Sequence, residues 1–256
     1  MPYLQAIFLG VVQGLTEWLP VSSSGHLVII QSSLGIRAPL IFDILLHFGT
    51  LLAVFAMFWK DLLKIALSLI RLNFNDEYGR LAKYIFIGSI PIALVGYLFH
   101  DFLASLFNSP VSVGFSLLAT GVVIYLSKFH KQSRRLDSKE SLLVGVAQAI
   151  AIIPGISRSG FTITTGLLRG VERREIFRYS FLLSVPAIIG ANVFEFTRVS
   201  WADLEVGSML VGTLVAAIVG YLSLKLLIRL VLNRKFHLFS FYCVALGILI
   251  LATNLL

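Results

Sequence analysis

The stretch GVVQGLTEWLPVSSSG, residues 10–25, recurs without a gap as GVAQAIAIIPGISRSG, residues 145–160. Gly10 falls on Gly145, Val11 on Val146, Gln13 on Gln148, Ser22 on Ser157, Ser24 on Ser159 and Gly25 on Gly160. Farther along, Ile41-Phe42 falls on Ile176-Phe177. Apolar coincidences are common in a hydrophobic chain; Gln, Ser and Gly matched in one register are not. The displacement is about half of the 256 residues, so the chain reads as two copies of one unit, 1–135 and 136–256, within a single domain.

The solvent of that domain follows from composition. Hydrophobic residues make up 57% and charged residues 13%, with a mean hydropathy of +0.90. Soluble domains carry about 25% charge, so a soluble reading fails. Nearly uncharged segments run at 3–19, 40–59, 82–99, 111–127, 141–153, 179–196, 206–228 and 237–256. The net charge of +8 is gathered in linkers between them, at 60–83, 128–139, 169–178 and 225–235. That distribution fits cytoplasmic retention of basic loops rather than nucleic-acid binding. The linkers near 100–110 and 197–205 have fewer basic groups and include Asp101, Asp203 and Glu205. Cys243 is the single cysteine, which excludes an intrachain disulfide and suggests a small lipid- or helix-facing residue. No Lys or Arg precedes Arg37, so the N-terminus lacks the basic start of a signal peptide.

Placing the basic linkers inside makes 40–59 run inward, 82–99 outward and 111–127 inward. Segment 141–153 then starts inside, and the linker at 169–178 is inside too, so 140–170 must enter and return. The same logic, with the apolar run LVIIQSSLGI after His26, makes residues 1–36 a hairpin entering from outside. Each copy is one re-entrant hairpin plus three crossings. Three is odd, so the second copy is upside down. The expected fold is an all-α integral membrane protein with six transmembrane helices and two re-entrant helical hairpins in an inverted-topology repeat. Both termini lie outside, and a site forms between the halves at the midplane.

Polar side chains at membrane depth are functional-site candidates, and two stretches concentrate them. In QGLTEWLPVSSSGH, Glu17 is the only Asp, Glu, Lys or Arg of the first 36 residues. Gln13, four residues earlier, shares its helix face, and Gly10 and Gly14 allow close backbone approach. Pro20 ends the helix, and Ser22, Ser23 and Ser24 follow on non-helical backbone, which membranes tolerate only inside protein or against a cavity, with His26 closing the stretch. In PGISRSGFTITTG, Arg158 is the only charge between Glu140 and Arg169. It is surrounded by Ser157, Ser159, Thr162, Thr164 and Thr165, while Gly155 and Gly160 free the backbone to turn N–H groups to a ligand. A half-helix starting near Ser159 would add an anion-binding N-terminus. The blander reading is a buried Glu17–Arg158 pair beside ordinary loops, which leaves the hydroxyls unexplained. The combined inventory of carboxylate, amide, imidazole, guanidinium and hydroxyls suits phosphoryl chemistry. Asp43 and His47, four apart, could support the site; Asn192 and Glu195 fit an interface. Trp18, Trp59 and Trp201 fit interfacial or site-rim positions.

At these residues the chain resembles the undecaprenyl-diphosphate phosphatases of the bacitracin-resistance family. That family is marked by Glu/Gln-x-x-x-Glu and Pro-Gly-x-Ser-Arg-Ser-x-x-Thr. Here they read Gln13-Gly-Leu-Thr-Glu17 and Pro154-Gly-Ile-Ser157-Arg158-Ser159-Gly-Phe-Thr162, supported by LPVSSSGH, FWK at 58–60 and FLLSVPAIIGA at 181–191. The resemblance spans the chain. It implies hydrolysis of a C55 polyprenyl diphosphate to the monophosphate and phosphate, a divalent cation (Mg2+ or Ca2+) near Glu17, and a site opening toward the outer face of the cell membrane. It implies catalytic roles for Glu17, Ser23, His26 and Arg158. Arg158 would hold the diphosphate, and Ser23 and His26 would be nucleophile and proton-transfer group in an order left open. Gln13, Ser22, Ser157, Ser159 and Thr162 would join Arg158 in binding substrate. Gln13 stands where the family often has Glu, which puts a metal-ligand role there in doubt. The expected partners are the membrane and a polyprenyl diphosphate lipid, not nucleic acid, with a homodimer as an open option. A polyprenyl-phosphate flippase or secondary transporter is the alternative, because inverted repeats with broken helices also build carriers.

Overall fold

A computed structural model of the chain describes residues 1–36, 38–106, 109–196 and 205–255. Trp201 and Asp203 lie outside the described residues, as do the side chains of Asp101 and Glu195. The elements are α1 (Tyr3–Trp18), α2 (Ser23–Leu34), α3 (Leu40–Ile70), α4 (Glu77–Leu98), α5 (His100–Leu106), α6 (Pro110–Leu126), α7 (Ser138–Ile150), α8 (Arg158–Leu168), α9 (Arg173–Phe196), α10 (Val206–Leu232) and α11 (Phe239–Leu255). Among the described residues, six helices are long and apolar enough to cross a membrane: α3, α4, α6, α9, α10 and α11. The protein is therefore an all-helical, multi-pass membrane protein. α1 has 16 residues, α2 12, α7 13 and α8 11. At 1.5 Å per residue, each falls short of the roughly 30 Å hydrocarbon core.

The basic linkers are shorter than the charge pattern suggests. α3 continues to Ile70, so Lys60 and Lys64 lie on a helix; Arg173, Arg174 and Arg178 begin α9, and Lys225 and Arg229 end α10. Long basic side chains favour helix and reach to the interface from it, so charge marks where hydrocarbon ends rather than where helix ends. Arg178 forks between Asp61 Oδ1 at 2.6 Å and Glu77 Oε1 at 2.7 Å, joining the ends of α9, α3 and α4.

Small residues set the helix contacts. A side chain at Gly10 would meet the Gly212 backbone, and one at Gly14 would meet Ala216 and Gly220, so α1 lies directly against α10. The two run parallel: the amino group of Met1 pairs with Glu205 just before α10, and the contacts advance along both helices together. α7 lies parallel to α4 in the same way, with Ser141 Oγ donating to the Tyr84 carbonyl at 2.5 Å and Gly145 against Gly88. The Gly10 and Gly145 contacts are the repeat-related pair. Gly160, expected to free the backbone, instead lies inside α8 against Ile124 and Ser157, whereas Gly155 has a φ of 90° that only glycine adopts readily. Trp18 is fully buried, Trp59 is 59% exposed on the outside of the bundle, and Cys243 is buried.

Arg169, just past α8, binds Glu140 in the first turn of α7 through Nε at 2.7 Å and Nη2 at 2.9 Å; Arg134 adds a bond at 3.2 Å. The Arg169 bonds hold the Glu140 carboxyl below its ordinary range near 4.5. A carboxyl depressed in the native state stabilises the fold above its unfolded pKa and loses that contribution as pH falls through the native value.

Glu140→Gln is expected to lower the melting temperature in detergent at pH 7, with the gap from wild type shrinking steadily as pH drops below about 4.5. Gly145→Val is expected to destabilise by about 1–3 kcal/mol through overpacking on Gly88, while Gly190→Ala, with nothing within 4 Å, serves as the neutral control in the same melts.

Candidate functional site

Four elements meet at the site: α1, α2, α3 and α8. α1 carries Gln13 and Glu17 on one face and stops at Trp18, because Leu19 precedes Pro20 and is driven to an extended conformation (φ −63°, ψ 144°). The chain turns through Pro20 and Val21 and starts α2 at Ser23. Ser22 caps α2, its Oγ accepting from Gly25 N–H at 3.3 Å. Ser157 caps α8 through the same kind of bond, accepting from Gly160 N–H at 3.1 Å, but from an extended backbone (φ −81°) where Ser22 has a φ of 67°. In each copy the cap hydroxyl also lies beside the serine two residues on, Ser22 with Ser24 at 3.3 Å and Ser157 with Ser159 at 3.4 Å. The serine–glycine frame shared by the two copies is thus a shared N-capping device.

Glu17 is the hub. Its Oε1 accepts from Arg158 Nη2 at 2.6 Å. Its Oε2 accepts from Ser23 Oγ at 2.6 Å and Gln13 Nε2 at 3.0 Å, with His47 Nε2 at 3.6 Å. The Glu17 side chain is 6% exposed and that of Arg158 14%. A buried pair of this kind holds only where further hydrogen bonds complete it. The Arg158 guanidinium also lies 5.1 Å from the Trp18 ring centroid, and Trp18 packs edge-on to Phe181 at 5.4 Å. Arg158 Nη1 and Gln13 Oε1 are buried and have no partner in the protein. The site therefore presents an unspent cationic donor beside a carboxylate-bound hydroxyl, which a phosphate oxygen would engage, and an unspent acceptor, which suits a cation instead.

The remaining candidates divide. Ser23, Gln13, Glu17 and Arg158 converge as described. His26 does not meet Ser23 or Glu17 by hydrogen bond; its Nδ1 donates to the Ser22 carbonyl at 2.7 Å and its Nε2 meets Tyr242 Oη at 2.7 Å. Thr162 turns away, bonding the Arg158 carbonyl at 2.8 Å and Ser180 Oγ at 2.6 Å. Ser157 N–H donates to Thr120 Oγ1, which in turn donates to the Gly155 carbonyl, both at 3.1 Å, so this serine is anchored to α6. Thr164 Oγ1 is buried and unpartnered. His47 reaches Glu17 because Nδ1 bonds the Asp43 carbonyl at 2.8 Å, while the Asp43 carboxylate is taken by Gln31 at 3.0 Å. The i, i+4 spacing of Asp43 and His47 hinted at this. Nothing in the sequence marked Thr120, Ser180 or Tyr242, which are brought in by packing.

Among the described residues, no three His, Cys, Asp or Glu side chains gather as a metal centre. The donors do fit the mode in which a hard cation takes one carboxylate and completes its shell with phosphate oxygens and water: Glu17, with the unpartnered Gln13 Oε1 beside it.

The family model of the bacitracin resistance protein BacA matches residues 6–249. A protein of Halothermothrix orenii named undecaprenyl-diphosphatase is 44% identical over 259 residues, covering 98% of each chain. Relatives of the same name in Methanosphaera stadtmanae, 40% identical over 264 residues and 96% of each chain, and Korarchaeum cryptofilum, 42% identical over 260 residues, 98% of this chain and 99% of the relative, are similar along their whole length too.

Arg158→Met leaves Glu17 as an uncompensated buried charge, so we expect a loss of about 3–5 kcal/mol of stability. The double variant Glu17→Gln/Arg158→Met should recover most of it. Thermal melts of the two variants in detergent measure the difference, and equal melting temperatures would show that the pair is not coupled.

Proposed function

The chain belongs to the bacitracin resistance protein BacA family, and from that premise we propose that it hydrolyses undecaprenyl diphosphate to the monophosphate and inorganic phosphate. The reaction would recycle the lipid carrier of cell-wall glycan synthesis and confer bacitracin resistance. The observation that carries this reading is the shared carboxylate: Glu17 holds Ser23 Oγ and Arg158, each at 2.6 Å, in a buried site.

In the proposed reaction the diphosphate enters against Arg158, whose unpartnered Nη1 adds to the fork, with Ser159 and the N-terminus of α8 close by as further donors. Ser23 Oγ attacks the terminal phosphorus and passes its proton to Glu17. The bond from that phosphorus to the bridging oxygen breaks, and polyprenyl monophosphate leaves, its developing charge met by Arg158. Glu17 hands that proton to the departing monophosphate; water then attacks the phosphoserine, giving a proton to Glu17, which returns it to Ser23 Oγ as the phosphorus–Oγ bond breaks and inorganic phosphate departs. Assigning Ser23 the attack follows from its bond to the one carboxylate. His26, tied to Ser22 and Tyr242, acts from the side. Ser22, Ser157 and Thr162 support binding through the backbone they cap and anchor. A divalent cation, Mg2+ or Ca2+, held by Glu17 with Gln13, would supply charge neutralisation on the phosphate oxygens.

We also propose the finer architecture. α1/α2 and α7/α8 are re-entrant hairpins in two inverted copies, 1–135 and 136–256. Four observations support this. The pairs are too short to cross singly. Arg169 at the end of α8 is bound to Glu140 at the start of α7. α1 runs with α10 whereas α7 runs with α4, and those two crossings point opposite ways if the six alternate. Finally, the two caps match. With basic helix ends inside, the protein would lie in the cell membrane with both termini outside and the site opening outward, as the resemblance implies. All three relatives named above are named for hydrolysis rather than transport.

Purified protein is expected to release phosphate from farnesyl or undecaprenyl diphosphate, and EDTA to abolish the release. Glu17→Ala, Ser23→Ala and Arg158→Ala should each reduce kcat/KM by about 10³-fold or more. No phosphate release with any divalent metal would sink the reading, and full activity in Glu17→Ala or Arg158→Ala would sink the site.

A further inference from the structure

His26 is bonded at both ring nitrogens, and the partner of each fixes what the ring can be. Nδ1 faces the Ser22 carbonyl at 2.7 Å, which can only accept, so Nδ1 carries the hydrogen. The lone pair of Nε2 is then left for a donor, and Tyr242 Oη at 2.7 Å provides it. The two rings lie nearly parallel, 6° apart, with centroids at 5.8 Å. The tyrosine comes from α11, distant in sequence, and the next residue, Cys243, donates from Sγ to the Pro20 carbonyl at 3.4 Å. α11 thus grips the 20–26 turn at two points.

What the turn needs is restraint. Ser22 has a φ of 67° and a ψ of 98°, a conformation that a residue with a side chain keeps only when its surroundings impose it. Two further bonds bear on it: Ser22 Oγ accepts from Gly25 N–H, and the Ser22 carbonyl accepts His26 N–H at 3.2 Å. The imidazole Nδ1–H is the shortest of the three. Ser22 directs the next residue, Ser23, whose hydroxyl rests on Glu17 at 2.6 Å.

We infer that Tyr242 is a positioning residue of this site: its hydroxyl fixes the His26 ring with Nδ1–H on the Ser22 carbonyl, which holds the strained Ser22 peptide and keeps Ser23 Oγ on Glu17, aimed at the phosphorus. The inference rests on the assignment of Ser23 and Glu17 made under the proposed function. The path is Tyr242 to His26 to Ser22 to Ser23, and Tyr242 need not touch the diphosphate.

The test uses full-length wild type, Tyr242→Phe, His26→Ala and the double variant, with phosphate release from farnesyl diphosphate as readout. Tyr242→Phe keeps the stacked ring and removes only the hydroxyl. It is expected to lower kcat roughly 10- to 100-fold, the scale of a small misplacement of a reacting group, with KM within about twofold of wild type. The double variant should be no slower than His26→Ala alone. Wild-type activity in Tyr242→Phe, or losses that multiply in the double variant, would overturn the inference. Nitrogen-15 spectra of His26 in the wild-type protein give an independent reading: the neutral Nδ1–H tautomer is expected, and an Nε2–H tautomer overturns the proposal. Inactive wild type or a fully active Ser23→Ala would instead strike the underlying phosphatase reading, whatever Tyr242→Phe does.

Discussion

The buried bond between Glu17 and Arg158 joins residues 141 positions apart, and the centre of the molecule is arranged around it. Each charge would be expensive alone in a water-poor interior, where a carboxylate or guanidinium loses hydration that one partner rarely repays. The fold answers with a complete shell. Ser23 and Gln13 complete the carboxylate, His47 stands behind it, and Trp18 lies beneath the guanidinium. The same shell leaves Arg158 Nη1 unspent, so the device that makes the pair tolerable also leaves it able to meet an anion.

For that bond to form, two helix ends must meet inside the bundle. Glycines do much of this work. Gly10 and Gly14 bring α1 onto α10, and Gly145 brings α7 onto α4, because without a side chain the backbones approach to direct contact. Helix termini carry unsatisfied backbone groups, and at each meeting point a serine satisfies them. Ser22 and Ser157 cap α2 and α8, the two short helices that begin at the site. Stability and chemistry thus share the same few residues, and the strained Ser22 backbone shows the structure holding a conformation that its own propensity disfavours.

Much of this could be read from the chain. The sequence match paired Ser22 with Ser157, which cap α2 and α8, and Gly10 with Gly145, each set against a glycine of another helix, whereas Gln13 bonds Glu17 and the Gln148 side chain has no hydrogen-bond partner. The isolation of Glu17 and Arg158 among apolar residues marked both members of the pair, since a membrane tolerates such charges only where they are used. The edges of the helices were less legible. Lys60, Lys64, Arg173 and Lys225 looked like loop residues because charge follows the water boundary, but helix continues past that boundary, in α3 beyond a kink at Phe58 (φ −109°, ψ 19°). The roles of hydroxyls were less legible still. Thr162 and Ser157 stood in the motif beside Arg158, yet one bonds Ser180 and the other Thr120, since a helix sends neighbours in sequence to different faces.

Composition, charge spacing and the internal repeat determined by themselves a multi-pass helical protein with two polar helix breaks and one charge of each sign to join them, because hydrophobic burial and the cost of charge act on residue type and position along the chain. Only the tertiary structure decided which hydroxyl the carboxylate holds, that His26 is turned to Ser22 and Tyr242, and that His47 stands at Glu17. Hydrogen bonds are directional and short-ranged, so such choices depend on where helices far apart in sequence come to rest against one another.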